Sequence, residues 1–232
     1  MPQSRGSSGK RRWRKTSRPR MERIAVIGGT GDLGFGLAVR LAKAYAVTIG
    51  SRDLAKAAGA AEKASALALA RVEGMTNRDA ADSCDIAILA VPDLPPADLL
   101  SSLAGGLKGK LVISPIVPRV LKDGVFSLSM SGESAAERVA KGLPASQVAG
   151  AFHTVPAPKL KQPAEDLAYD VLVTADSREV YERAAKVVSS VGRLRPFYAG
   201  PLTASRLVEA ITPALLNVSK LNKLKSPSIR LV

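Results

Sequence analysis

The sequence predicts a doubly wound α/β fold: a mostly parallel sheet covered on both faces, with a small C-terminal α/β extension. Three observations predict it. Short β-branched apolar runs alternate with helix-period stretches from Arg23 onward. Several of those runs are apolar without a break, as strands buried on both faces must be. A glycine cluster stands between the first strand and the first helix, at the edge where such sheets bind ligands.

The elements follow in order. "RIAVIG" is a strand ending in Gly, and "LGFGLAVRLAKAY" has helical spacing. "AVTIGSRD" is a second strand, followed by the Ala-rich helix "LAKAAGAAEKASALALA". "CDIAILAVP" is a continuous apolar strand, and "PPADLLSSLAGGL" is a helix with Pro at its start. "GKLVISPIVP" is the fourth strand. "SAAERVAKGLP" is a helix with Ser134 and Glu137 at capping-box spacing. "SQVAGAFH" and "DVLVTA" are strands, "REVYERAAKVVSSV" a helix and "RLRPFYAG" a late strand. "TASRLVEAITPALLNVSKL" closes the chain as a helix interrupted at Pro213. The expected organisation is a disordered basic tail over 1–20, a nucleotide-binding domain over 21–145 and a smaller C-terminal α/β part over 146–232.

The 232 residues carry a net charge of +14, but eight of the cations lie in residues 1–20 with no acid, leaving +6 for the remainder. The basicity is therefore mostly a Ser-, Gly- and Arg-rich tail with little to bury. Any nucleic-acid contact is expected only through that tail. One cysteine (Cys84) and one histidine (His153) exclude an internal disulfide and a metal cluster, so no metal ligands are expected. No stretch reaches the roughly 18 apolar residues of a membrane span. A cytoplasmic protein with small-molecule partners fits these features, and a homodimer is left open.

Gly29, Gly31 and Gly34 stand at G-x-G-x-x-G spacing, directly after a strand and before a helix. In that context the glycines allow a tight turn, approach of backbone to a pyrophosphate, and close helix packing. This is the Rossmann-type signature of NAD(P) binding. The second strand ends in Gly50-Ser51-Arg52 rather than in an acid, and Lys56 follows one turn on. Donors and cations there suit the 2′-phosphate of NADP, while Asp53 can cap the next helix.

Three strand ends are Pro-rich: "AVPDLPP", "ISPIVPR" and "HTVPAP". They are stiff rims at the ligand edge. No tyrosine is followed four places on by lysine, so the acid pair of short-chain reductases is absent. His153 has no acidic neighbour in sequence, and no large all-helical second domain follows. The substrate is expected to need hydride and positioning but little proton chemistry. His153 itself reads as a positioning group, a structural residue or a proton shuttle.

With "RIAVIGGTGDLGFGLAVRLAK", "IGSRD", "LAVP", "VISPIVP", "GESAAERVA", "AFHTVPA", "LRPFYAGPL", "SRLVEAITPALLN" and "IRLV", the chain from Met21 to Val232 resembles the NADPH-dependent reductases of the deazaflavin coenzyme F-420. The resemblance implies reversible hydride transfer between NADP(H) and coenzyme F-420. It implies that Thr30, Gly31, Asp32 and Leu33 cradle the pyrophosphate, and that Ser51, Arg52 and Lys56 hold the 2′-phosphate. Asp93 and Arg119 then border the NADP site. His153 and Val155 flank the paired rings as the catalytic candidates, Ala157 lies near the nicotinamide amide, and Pro227 touches the deazaflavin. The family often carries Asp and Asn where this chain has Tyr198 and Ala204. An NADPH-dependent flavin or metal reductase, and a non-catalytic NADP-binding regulatory protein, are the competing readings.

Overall fold

The computed structural model describes residues 20–129 and 132–232. The basic tail expected over 1–20 lies outside the described residues except for Arg20, whose guanidinium pairs with Asp85 at 3.3 Å.

The chain alternates β1 (Arg23–Ile27), α1 (Asp32–Leu41), β2 (Ala46–Ser51), α2 (Leu54–Ala68), β3 (Val72–Thr76), α3 (Asn77–Ser83), β4 (Ile86–Leu89), α4 (Ala97–Leu107) and β5 (Leu111–Ser114). A hairpin, β6 (Arg119–Lys122) and β7 (Val125–Leu128), precedes α5 (Ala135–Gly142) and β8 (Gln147–Gly150). Then come α6 (Ala157–Leu160), β9 (Asp170–Ala175), α7 (Arg178–Ser189), β10 (Arg195–Gly200), a 3-10 turn over Leu202–Ala204, and α8 (Ser205–Leu221).

Eight strands form one sheet in the order β10-β9-β8-β5-β4-β1-β2-β3. β8 through β3 in that order run parallel, and β9 pairs antiparallel with β8. β10 is parallel to β9. The sheet is thus doubly wound and mostly parallel, as the unbroken apolar runs require. Successive residues of β1 feed two separate cores: Ile24 and Val26 one, Ala25 and Ile27 the other. The first core includes α1, α2 and α7, and the second α3, α4 and α5. The C-terminal α/β part is continuous with the rest: β8 pairs with β5, and β9 and β10 prolong the same sheet.

Three features depart from the sequence reading. β3 and α3 were not anticipated, because "VEGMT" is short and holds a glycine. The segment after β5 is an exposed antiparallel hairpin as well as a Pro-rich rim, and β7 docks on α8. α8 is not interrupted at Pro213: it runs unbroken from Ser205 to Leu221 with Pro213 inside. Proline removes one helical N–H, and here its ring is buried, so packing holds the helix through it.

Candidate active site

The first turn of the fold explains the glycines by collision. A Cβ on Gly29 would lie 2.7 Å from the carbonyl oxygen of Val26, and one on Gly34 2.7 Å from the Cα of Gly29 and 2.9 Å from Ala90 Cβ. Real Cβ atoms do not tolerate such distances, so both positions exclude side chains. A Cβ on Gly31 would meet nothing nearer than 3.8 Å. That face is open, as a cradle for a phosphate must be. Gly31 is also the N-cap of α1 and supplies no side-chain cap, so first-turn N–H groups remain for a ligand.

One residue of this turn escaped the sequence reading. Asn77 Oδ1 accepts the backbone N–H of Gly28 at 3.2 Å, and a Cβ on Gly50 would come within 2.9 Å of the same oxygen. Asn77 therefore ties the glycine turn to the end of β2. Its signal was present: Thr76 caps α3 by accepting from Asp79 N at 3.2 Å, a T-x-x-D pattern.

At the end of β2, Ser51 is buried and its Oγ accepts from Asp53 N at 3.2 Å. Asp53 is the N-cap of α2, its Oδ1 accepting from Lys56 N at 3.2 Å. The one acid of this corner is thus occupied by a helix cap, while Arg52 and Lys56 are exposed.

The three Pro-rich rims follow β4, β5 and β8, which are adjacent in the sheet and stand beside β1. At about 4.8 Å between strands, the rims and the glycine turn form one edge roughly 15 Å long. His153 lies on the β8 rim. It is 6% exposed, and neither ring nitrogen has a hydrogen-bond partner among the described residues. Burial drives its pKa down to about 4, so the imidazole is neutral at neutral pH. Its backbone carbonyl accepts from Thr212 Oγ1 at 2.8 Å.

The residue before it explains how the ring reaches this place. Phe152 has φ +67°, a left-handed conformation that is strained for a bulky residue. Its side chain is fully buried in the core that holds Ala149 and Ala151. The imidazole instead lies over Gly150, where a built Cβ would meet Thr174 Oγ1 at 2.5 Å and His153 Cε1 and Ser205 Oγ at 3.2 Å. Ser114, paired in register with Gly150, is fully buried, and its Oγ also lacks a partner among the described residues. Two unpartnered polar side chains thus sit at the ends of neighbouring strands, as a site for a polar-edged ligand demands.

The other expected site residues distribute as follows. Val155 is buried beside His153, and Ala157 opens α6. Pro227 is brought to the same rim, because the next residue, Ser228, donates its hydroxyl to Thr154 O at 3.0 Å. Asp93 is exposed in the β4 rim and accepts from Leu94 N at 2.7 Å. Arg119 opens the exposed hairpin. Tyr198, standing where the family often has Asp, donates to Ala175 O at 3.1 Å, and Ala204 ends the 3-10 turn against Gly200. No group of His, Cys, Asp and Glu suited to a metal ion exists among the described residues, and no described helix is long and apolar enough to cross a membrane.

The fold and the glycine turn define a dinucleotide-binding α/β protein. Residues 23–118 match the family model described as NADP oxidoreductase, coenzyme F420-dependent. The chain is 38% identical over 218 residues to the F420-dependent NADP reductase of Methanothermobacter thermautotrophicus, covering 90% of this chain and 94% of that one. It is 36% identical to the protein of the same name from Methanocaldococcus jannaschii, covering 90% and 97%. A crystal structure from Arthrobacter sp. FB24 superposes with a TM-score of 0.75 at 20% identity, covering 92% of this chain and all of that one. The chain belongs to the family of F420-dependent NADP reductases.

Proposed function

We propose that the protein transfers hydride reversibly between NADP(H) and the deazaflavin coenzyme F-420. The observation that carries this reading is the state of His153: buried, neutral and without a carboxylate partner among the described residues, at the edge where two rings would meet. A ketone or imine reductase needs a proton donor beside the reacting carbon, and this edge presents a neutral imidazole and a hydroxyl. Both proposed substrates are hydride carriers, one bearing the hydride on carbon 4 of nicotinamide and the other accepting it on carbon 5 of the deazaflavin. What remains for the protein is to bind, align and keep water out.

In this reading the backbone of Thr30, Gly31, Asp32 and Leu33, with the N–H groups of α1, holds the pyrophosphate, between the turn glycines Gly29 and Gly34. Ser51, Arg52 and Lys56 hold the 2′-phosphate. Asp93 and Arg119 border the nucleotide, and Ala157 meets the nicotinamide amide. His153 and Val155 fix the ring pair, and Pro227 faces the deazaflavin. Residues 21–145 serve as the nucleotide half and 146–232 complete the second ring's pocket. The reading takes the enzyme as cytoplasmic, with small-molecule partners. Its test is direct. NADPH mixed with the protein and oxidised deazaflavin should bleach the deazaflavin band. A silent deazaflavin band with rapid turnover of a flavin would promote the flavin-reductase alternative instead.

A further inference from the structure

A single stripe of α1 carries a strap. Asp32, Gly36 and Arg40 are spaced four residues apart, so they share one face over about two turns. Each meets the segment that follows the His153 rim. Lys161 Nζ pairs with the carboxylate of Asp32. Leu160 packs onto Gly36 so closely that a Cβ there would come 2.5 Å from Leu160 Cβ. The guanidinium of Arg40, almost wholly buried, donates to the carbonyls of Leu160 at 3.1 Å, Glu165 at 3.0 Å and Lys159 at 3.0 Å, and to that of Gln162.

Arg40 thus clamps the backbone on both sides of Lys161. Burying a cation is costly unless its donors are matched, and four of the five guanidinium N–H groups here donate to main-chain oxygens. Such a clamp fixes where the Lys161 side chain starts. The Lys161–Asp32 pair is partly exposed, and exposed pairs contribute little to stability. Its place matters more than its strength. Asp32 is the first residue of α1, next to Gly31 and the open phosphate face. A diphosphate seated there brings negative charge beside Asp32, and Lys161 is the cation already at that spot.

We propose that Lys161 is a binding residue for the diphosphate of the nicotinamide nucleotide, that it exchanges its Asp32 partner for a phosphate oxygen, and that Arg40 is the positioning residue that holds it there. This rests on the nucleotide-binding half of the proposed function and extends it, since the strap leaves the rim only four residues after Ala157. It couples the diphosphate end of the nucleotide to the rim that borders the rings.

Binding of NADPH and NADH to the full chain, followed by nicotinamide fluorescence, tests this. The diphosphate is common to both nucleotides. Lys161→Ala should therefore raise Kd for both by the same factor, roughly 5- to 20-fold at low ionic strength. Lys161→Arg should restore most of the affinity. Asp32→Asn should tighten both, roughly 2- to 5-fold, by removing a charge that the diphosphate must face. Arg40→Lys cannot span the four carbonyls and should weaken binding in the native chain but have little further effect in the Lys161→Ala background. A merely structural Arg40 would weaken both backgrounds alike. An unchanged Kd for Lys161→Ala, or a loss confined to NADPH, overturns the assignment of Lys161. Nucleotide binding that depends on Lys161 without any deazaflavin reduction overturns the hydride-transfer reading and leaves Lys161 standing. A chain that binds neither nucleotide overturns both.

Discussion

The carboxylate of Glu209, in the second turn of α8, accepts the backbone N–H of Ala136 at 3.2 Å and, with its other oxygen, that of Ala135 at 3.1 Å. It thereby caps α5 from another helix, while Ser134 and Glu137 close a capping box at the same end. Glu209 is 1% exposed. Burial pushes its carboxyl up to about 7, against the pull of the two N–H groups.

This raised value fixes a pH dependence. The unfolded carboxyl titrates near 4.5 and the folded one near 7. The folded state therefore holds the proton more tightly. The stability from this site is full below about pH 4.5 and lost as pH rises through about 7, by about 3 kcal/mol in total. Glu209→Gln cannot titrate. Melting temperatures of the native chain and the variant, compared from pH 5 to 8, should diverge in the expected sense: the native chain loses stability over that range relative to Glu209→Gln. Parallel curves would contradict the buried carboxylate.

In the proposed function, Arg52 discriminates between the two nucleotides. Asp53 is engaged as the cap of α2, so the corner at the end of β2 is left with exposed cations. Arg52→Ala should weaken NADPH binding by roughly 10- to 100-fold and leave NADH nearly unchanged. Equal losses would mean that Arg52 does not meet the 2′-phosphate. The contrast with Lys161→Ala, which should affect both nucleotides alike, separates the two phosphate sites.

His153 should behave as a neutral positioning group. Its folded pKa of about 4 is depressed by burial, so no protonation step lies near pH 6.5. His153→Asn should lower turnover modestly and leave the pH–rate profile in shape. A loss of about a thousandfold, with disappearance of a titration step, would restore a proton-shuttle role.

Gly34→Ala places a methyl where only 2.7 Å separates it from Gly29 Cα, with Ala90 Cβ at 2.9 Å. Backbone cannot yield as a flexible side chain would, so the substitution should cost about 1–3 kcal/mol and impair nucleotide binding. Gly31→Ala meets open space in the free protein, so it should leave the melting temperature nearly unchanged and impair binding alone. The pair separates helix packing from ligand approach.

Much of this architecture was legible because parallel strands buried on both faces leave unbroken apolar runs. "CDIAILAVP" could be nothing else, and the glycine turn was placed by its flanking elements. β3 was not legible: Val72 is its only buried residue, and an edge strand needs no continuous apolar run. Pro213 misled because proline usually ends a helix, and the packing that holds α8 through it is tertiary. At the site, Gly29, Gly31 and Gly34 announced themselves by spacing. Phe152, Asn77, Arg40 and Ser114 did not, because their roles come from contacts with residues distant in sequence. Arg40 meets carbonyls more than a hundred residues away, and no local pattern marks such a partner.

The central claim is that hydride passes straight from one ring to the other along the edge formed by the ends of β1, β4, β5 and β8. The measurement that tests it most directly uses NADPH carrying deuterium on one face of carbon 4, with oxidised deazaflavin as acceptor. The label should appear on carbon 5 of the reduced deazaflavin, with none released to water, and only one of the two faces should transfer. Label reaching the solvent before the deazaflavin, or no deazaflavin reduction while a flavin is reduced quickly, would contradict it.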